Sequence, residues 1–177
     1  MSRVGSTLLL SLLAAACAGE PESPSDATAV NTSGKRDVPV AEVPAEVLAA
    51  ARAEQGDFTI DEAEIETRDG RSYYDVGGTL ADGTEIEFDV MQEEDGQWRV
   101  VETQRDIALS ETPLPVRETL TGHDGAFSPT RIIESVQADG LVIYELYGPD
   151  GNDPQGRKLE IRWDGESADL LAREWEH

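Results

Sequence analysis

Cysteine is almost missing from this sequence. Of 177 residues only Cys17 carries a thiol, which excludes an internal disulfide and any zinc site built on cysteine. Histidine is nearly as scarce. His123 lies in Gly122-His123-Asp124-Gly125, which reads as a turn, and His177 reads as an exposed tail residue. Two such distant imidazoles supply neither a zinc site nor a serine triad. The glycines mark turns, not a phosphate loop between strand and helix. Paired carboxylates could in principle serve glycoside hydrolysis, but small sheets offer little of the deep cleft such a site wants. No catalytic residue, metal ligand or cofactor is assigned on these grounds. Basic residues are also few: Lys and Arg number 14 against 37 Asp and Glu, a net charge of −23. That surface repels nucleic-acid phosphates and anionic headgroups. It suits a cationic partner or divalent ions, and it is equally what solubility alone produces. Aromatics make up only 6% of the chain, so any small domain has a modest core. Asp150-Gly151-Asn152-Asp153 begins like a calcium loop, but Pro154 and Gln155 stand where such a loop needs an oxygen ligand and a glycine. A weak divalent site using Asp150 and Asp153 remains open.

The longest apolar run, Leu8 to Ala16, is far shorter than the ~20 residues that span a bilayer. It follows a short positive start, Met1-Ser2-Arg3, and leads through Ala14-Ala15-Ala16 into Cys17. This pattern resembles the lipobox of bacterial lipoproteins, in which the cysteine takes a diacylglycerol and becomes the new N-terminus. The family prefers Leu three positions before the cysteine, whereas here Ala14 holds that position and Leu13 precedes it. The alternative is an ordinary signal peptide cut after Ala16. The lipobox reading makes residues 1–17 a lipoprotein signal peptide and Cys17 the lipid-attachment site. It implies a location in the cell envelope and contact with membrane through the lipid anchor only. Ala18, in place of the Asp that retains lipoproteins at the inner membrane, implies an outer-membrane position facing the periplasm in a two-membrane cell.

Residues 18–40 hold Pro21, Pro24 and Pro39 among small and polar residues without hydrophobic period, the composition of a disordered tether. Lys35-Arg36 within it reads as a solvated charge pair or a protease-sensitive point. Beyond it the sequence repeats. Val43-Pro44 opens a helical stretch to Ala53, and Leu114-Pro115 opens a shorter one to Thr121, with proline in the first turn where its missing N–H costs nothing. Val47, Leu48 and Ala51 share one helical face, as do Val116 and Leu120. Gly56 and Gly122 are the expected stops. Setting aside Asp124-Gly125 in the turn noted above, three Asp-Gly pairs follow each helix. Those at Asp69, Asp82 and Asp95 are answered by Asp139, Asp150 and Asp164, at offsets of 70, 68 and 69. Asp-Gly between alternating apolar residues is a strong hairpin signal. Each half therefore reads as a helix and then a four-stranded antiparallel meander. The expected fold is α+β, with two tandem units at 41–107 and 108–177. Ile86, Phe88 and Val90, and likewise Leu159, Ile161 and Trp163, should face the helix. Phe58 and Ile60 are out of phase with Ala63 and Ile65, which predicts a bulge or a late strand start.

Val43-Pro44, the central Tyr74, Asp82-Gly83, Ile86-x-Phe88 and Asp95-Gly96 resemble a PepSY-like domain, and two such units in tandem resemble the β-lactamase-inhibitor-protein fold. The resemblance covers about residues 41–177. It implies a non-catalytic protein that binds or inhibits another, such as a protease or other envelope enzyme. The alternative is an acidic structural or cation-buffering envelope lipoprotein without a specific partner.

The face away from the helix differs between the two halves. The first shows Glu85, Glu87 and Asp89 beside Asp75. The second shows Lys158, Glu160 and Arg162, with Ile143, Glu145 and Tyr147 nearby. Both could be solvated surfaces. As binding surfaces, the mixed one loses less on desolvation, which makes Ile143, Tyr147 and Arg162 the expected contacts with an envelope protein.

Overall fold

The computed structural model describes residues 34–175. Cys17 and the lipobox lie outside them. Among the described residues no helix is long and apolar enough to cross a membrane.

Local chemistry sets the reversals. The six Asp-Gly pairs of the repeat lie at turns between strands, and their glycines adopt positive φ, from 57° at Gly151 to 98° at Gly165; Gly125 of Asp124-Gly125 does not. Four of the preceding aspartates close their turns with their side chains. Asp82 accepts from the Thr84 N–H at 3.0 Å, Asp95 from Gln97 at 2.9 Å and Asp139 from Leu141 at 2.9 Å. Asp164 accepts from both Glu166 and Ser167, and these bonds hold its carboxyl down at about 2.

The strands joined by these turns are β1 (Arg36–Asp37), β2 (Phe58–Arg68), β3 (Arg71–Leu80), β4 (Glu85–Gln92), β5 (Trp98–Asp106), β6 (Arg131–Gln137), β7 (Val142–Asp150), β8 (Asp153–Trp163) and β9 (Ala168–Leu170). They form one antiparallel sheet in sequence order. Helix α1 (Ala45–Glu54) packs against β3, β4 and β5, and α2 (Leu114–Gly122) against β8 and β9. Pro44 and Pro113 stand at the N-caps. Neither Gly56 nor Gly122 takes positive φ; Gln55 and His123, both extended, end the helices instead.

This architecture corrects the α+β expectation of two tandem helix-plus-meander units. The protein is mostly β, with a single nine-stranded sheet. Its continuity rests on β5 and β6, which pair from Glu102↔Gln137 to Asp106↔Ile133. Two separate meanders would each leave an unpaired edge here, a row of N–H and C=O groups open to other chains; pairing satisfies both edges internally. The ninth strand comes from the expected tether. Arg36 and Asp37 pair with Ile65 and Glu64, and Val38 is buried, so residues 35–40 belong to the folded body.

Burial follows the alternation. Val47 and Ala51 of α1 meet Ala63, Val76, Ile86, Phe88 and Val90 in one core. Val116 and Leu120 of α2 meet Ile132, Val142, Tyr144, Leu146 and Ile161 in a second. The expected bulge in β2 falls between Ile60 and Glu62. Gly78 permits the close approach of β2: a Cβ there would lie 2.1 Å from the Thr59 carbonyl oxygen. Cross-strand partners share a face, and Phe88, Thr103, Val136 and Val142 are successive partners across β4 to β7. Both helices therefore cover the same side of the sheet, and the opposite side is one continuous outer face.

Candidate functional site

The outer face is built by cross-strand register, which brings together residues that sequence proximity does not. Asp37, Glu64, Asp75, Asp89, Glu102 and Gln137 are successive partners across β1 to β6. Five carboxylates thus stand in one rung. Like charges directly opposite one another repel, and burial strengthens the repulsion. Asp75, Asp89 and Glu102 are nonetheless buried, at 3%, 3% and 5% exposure. The expected solvated anionic face is in fact largely covered.

Cations explain how it is tolerated. Lys35, just before β1, places its ammonium on Asp75 and 3.9 Å from Glu64. Partial burial opposes the Lys35 charge, but the hydrogen bond to Asp75 and the nearby Asp89 and Glu87 carboxylates outweigh it and raise its pKa above the ordinary value. Arg68 pairs with Glu66, approaches Asp89 to 3.9 Å and lies 4.7 Å over the Tyr73 ring. Lys35 is half exposed, in keeping with a solvated charge, but it also neutralises a buried carboxylate, which no sequence pattern around Lys35 could reveal.

Asp75, Glu87 and Asp89 each bring a carboxylate oxygen within 4.8 Å of the others. Burial, reinforced by the Asp75 and Asp89 charges, pushes the Glu87 carboxyl up to about 7. Positive charge at this cluster comes from Lys35 on Asp75 and from Arg68 near Asp89. Asp150 and Asp153, the expected weak divalent pair, face each other across the β7–β8 turn and are exposed. Asp153 there accepts the Gln155 N–H at 2.9 Å.

Beside the cluster a trough of about 460 Å³ crosses β2 to β6. Gly77, without a side chain, lies between Glu62 and Glu87 in the cross-strand order, and the Glu62 side chain lies over it, its Cγ 2.8 Å from where a Cβ would stand. Gln104, Ile133 and Arg131 line the other side. Arg131 forks onto Asp106, both nitrogens at about 3.0 Å, and sits 5.9 Å from the Tyr147 ring. The trough therefore has an acidic wall and a mixed wall, and an aromatic ring adjoins it.

Of the expected contact residues, Tyr147 is half-buried at this margin. Its hydroxyl donates to Glu145 at 2.6 Å, and burial and that carboxylate raise its pKa to about 12. Lys158 lies 5.7 Å over the ring and pairs with Glu145 and Glu160. Arg162 reaches Asp169 at 3.6 Å and Asp164 at 3.9 Å. Ile143 is the correction. It faces outward as expected but is only 1% exposed, so it offers no free surface. The reason is the segment after β9. Strand β9 stops at Leu170, Leu171 keeps its place beside Glu160 at the sheet edge, and residues 172–175 lead back to the outer face. The Leu171 N–H donates to the Glu160 carbonyl, the Trp175 N–H to the Glu160 carboxylate, and the Trp175 indole N–H to Gln137 Oε1 at 3.1 Å. Trp175 and Gln137 were not singled out from sequence. A tryptophan beyond the last apolar strand pattern was the one available signal. No protein-family profile and no curated protein sequence matches the chain.

Proposed function

We propose that this chain is a non-catalytic lipoprotein of the cell envelope, anchored through Cys17, that binds a protein through the outer face of its sheet. One observation carries the reading: both helices cover one side of the sheet, leaving on the other a trough with Glu62 and Glu87 on one wall and Arg131, Ile133 and the adjoining Tyr147 on the opposite one. A groove with opposed charge and a rigid aromatic at its margin suits a segment carrying a cation beside apolar surface. The acidity of the whole chain would speed encounter with such a partner. The resemblance to PepSY-like and β-lactamase-inhibitor-protein-like domains points to the same class of activity, with a protease or other envelope enzyme as partner.

Capture from envelope extracts tests this, using the wild type beside Glu62→Lys and Tyr147→Ala. The expected result is one saturable partner whose capture falls with both variants. Heterogeneous, salt-labile association that neither variant changes overturns the reading and favours a protein acting through charge alone.

A further inference from the structure

The segment over β6 to β8 is held differently from the rest of the chain. Ala172, Arg173 and Glu174 are exposed, and Trp175 is only partly buried. Beneath it the sheet is closed to water: Ser135 and Ile143 are each 1% exposed, Gln137 and Glu160 each 6%. Trp175 bonds to Gln137 on β6 through its ring and to Glu160 on β8 through its backbone. The strand between them is β7, whose outward residues there are Ile143 and Glu145. Neighbouring strands are ~4.8 Å apart, so a side chain bonded to both flanking strands must lie across β7. The indole is thus laid over Ile143.

The polar partners are prearranged. Gln137 donates its amide to Ser135 Oγ at 3.0 Å, which orients its oxygen toward the indole N–H. Glu160 is held by Lys158 at 2.7 Å through Oε1, leaving Oε2 for the backbone N–H. Elsewhere the fold does not provide this: the buried Trp163 indole N–H has no acceptor. A satisfied indole over a buried isoleucine, with an adjacent acceptor for a main-chain N–H, is the recognition pattern of a peptide slot.

We propose that the outer face of β6 to β8 is a binding slot for an extended, tryptophan-bearing peptide, and that residues 172–175 fill it as an intramolecular latch. The inference rests on the protein-binding reading of the outer face and adds its regulation. A partner segment carrying a tryptophan displaces Trp175, uncovers Ile143 and so extends the contact from the trough across the second half of the sheet. Ile143 then becomes the contact residue that its outward position in β7 implies.

The test needs no knowledge of the partner. The probe is a synthetic peptide of residues 171–177, titrated into the full chain carrying Trp175→Ala, into the wild type and into a Trp175→Ala/Gln137→Ala variant. NMR signals of Gln137 and Ile143 report occupancy. Saturable shifts are expected for Trp175→Ala, with binding at least tenfold weaker to the wild type, whose slot is filled, and to the variant lacking Gln137. No saturable shift at millimolar peptide overturns the proposal, as does equal binding by wild type and Trp175→Ala. A Trp175→Ala chain that no longer folds also overturns it, because a displaceable segment cannot be indispensable to folding. Failure here leaves partner capture through the trough standing, whereas loss of that capture alone leaves the peptide titration intact.

Discussion

Replacing Glu87 by Gln separates the cost of a buried charge from the loss of a contact. In the folded chain the carboxyl is pushed from 4.5 to about 7, first by desolvation and then by Asp75 and Asp89. Below pH 4.5 Glu87 is protonated in both folded and unfolded states, and its neutral form is fully accommodated. As pH rises from 4.5 toward 7 the unfolded chain releases this proton first, so the folded state loses stability. Above 7 the loss is complete and constant. Each tenfold difference in proton affinity is worth about 1.4 kcal/mol, which sets a ceiling of about 3 kcal/mol; residual solvent contact reduces this to about 1–3 kcal/mol. Gln keeps the shape without the ionisation. Urea melts of wild type and Glu87→Gln at pH 4 and pH 8 measure the difference. The two should be nearly equal at pH 4, and the variant should be more stable by about 1–3 kcal/mol at pH 8. A difference that does not change with pH refutes the argument. So does a less stable variant at pH 8, which would mean that Lys35 stabilises the carboxylate more than burial penalises it.

Phe88→Ala and Ile161→Ala empty equivalent positions in the two cores, at 1% and 0% exposure, and should cost about 3–5 and 2–5 kcal/mol in urea melts. Equal stability of either variant and the wild type would misplace that core. Lys35→Ala strips the cation from Asp75; it should cost about 1–3 kcal/mol at pH 8, below the value for a wholly enclosed pair because the lysine is half exposed. Limited proteolysis of the same variant should cut earlier near β1, and an unchanged pattern would show that the ion pair does not hold that strand. Cys17→Ser should abolish labelling by a fatty-acid probe in cells; undiminished labelling would remove the lipid anchor from the proposal.

The sequence alone determined everything that depends on near neighbours. Asp-Gly pairs specify tight turns because glycine accepts positive φ and aspartate can close the turn with its own carboxylate, so all six reversals could be located. Proline at a first helical turn and the spacing of Val47 with Ala51, and of Val116 with Leu120, located both helices. Alternation placed Ile86, Phe88, Val90 and Ile161 toward the helices, and the break of phase after Ile60 exposed the bulge. The tertiary structure decided what joins distant segments. Repetition of a pattern says nothing about whether two edges pair, and pairing of Glu102–Asp106 with Ile133–Gln137 turned two expected sheets into one. The same limit hid the candidate site. Asp75 and Asp89 read as exposed because each alternates with apolar neighbours, yet register aligned them with Glu102 in a rung that Lys35 and Arg68 help to neutralise. Ile143 read as an open contact because its own strand leaves it outward. It is buried where residues 172–175 return toward β7, and that return depends on acceptors supplied by Gln137 and Glu160, two strands apart. Periodicity reports which side of a strand a residue faces; what lies over that side is set by the packing of segments far away in sequence.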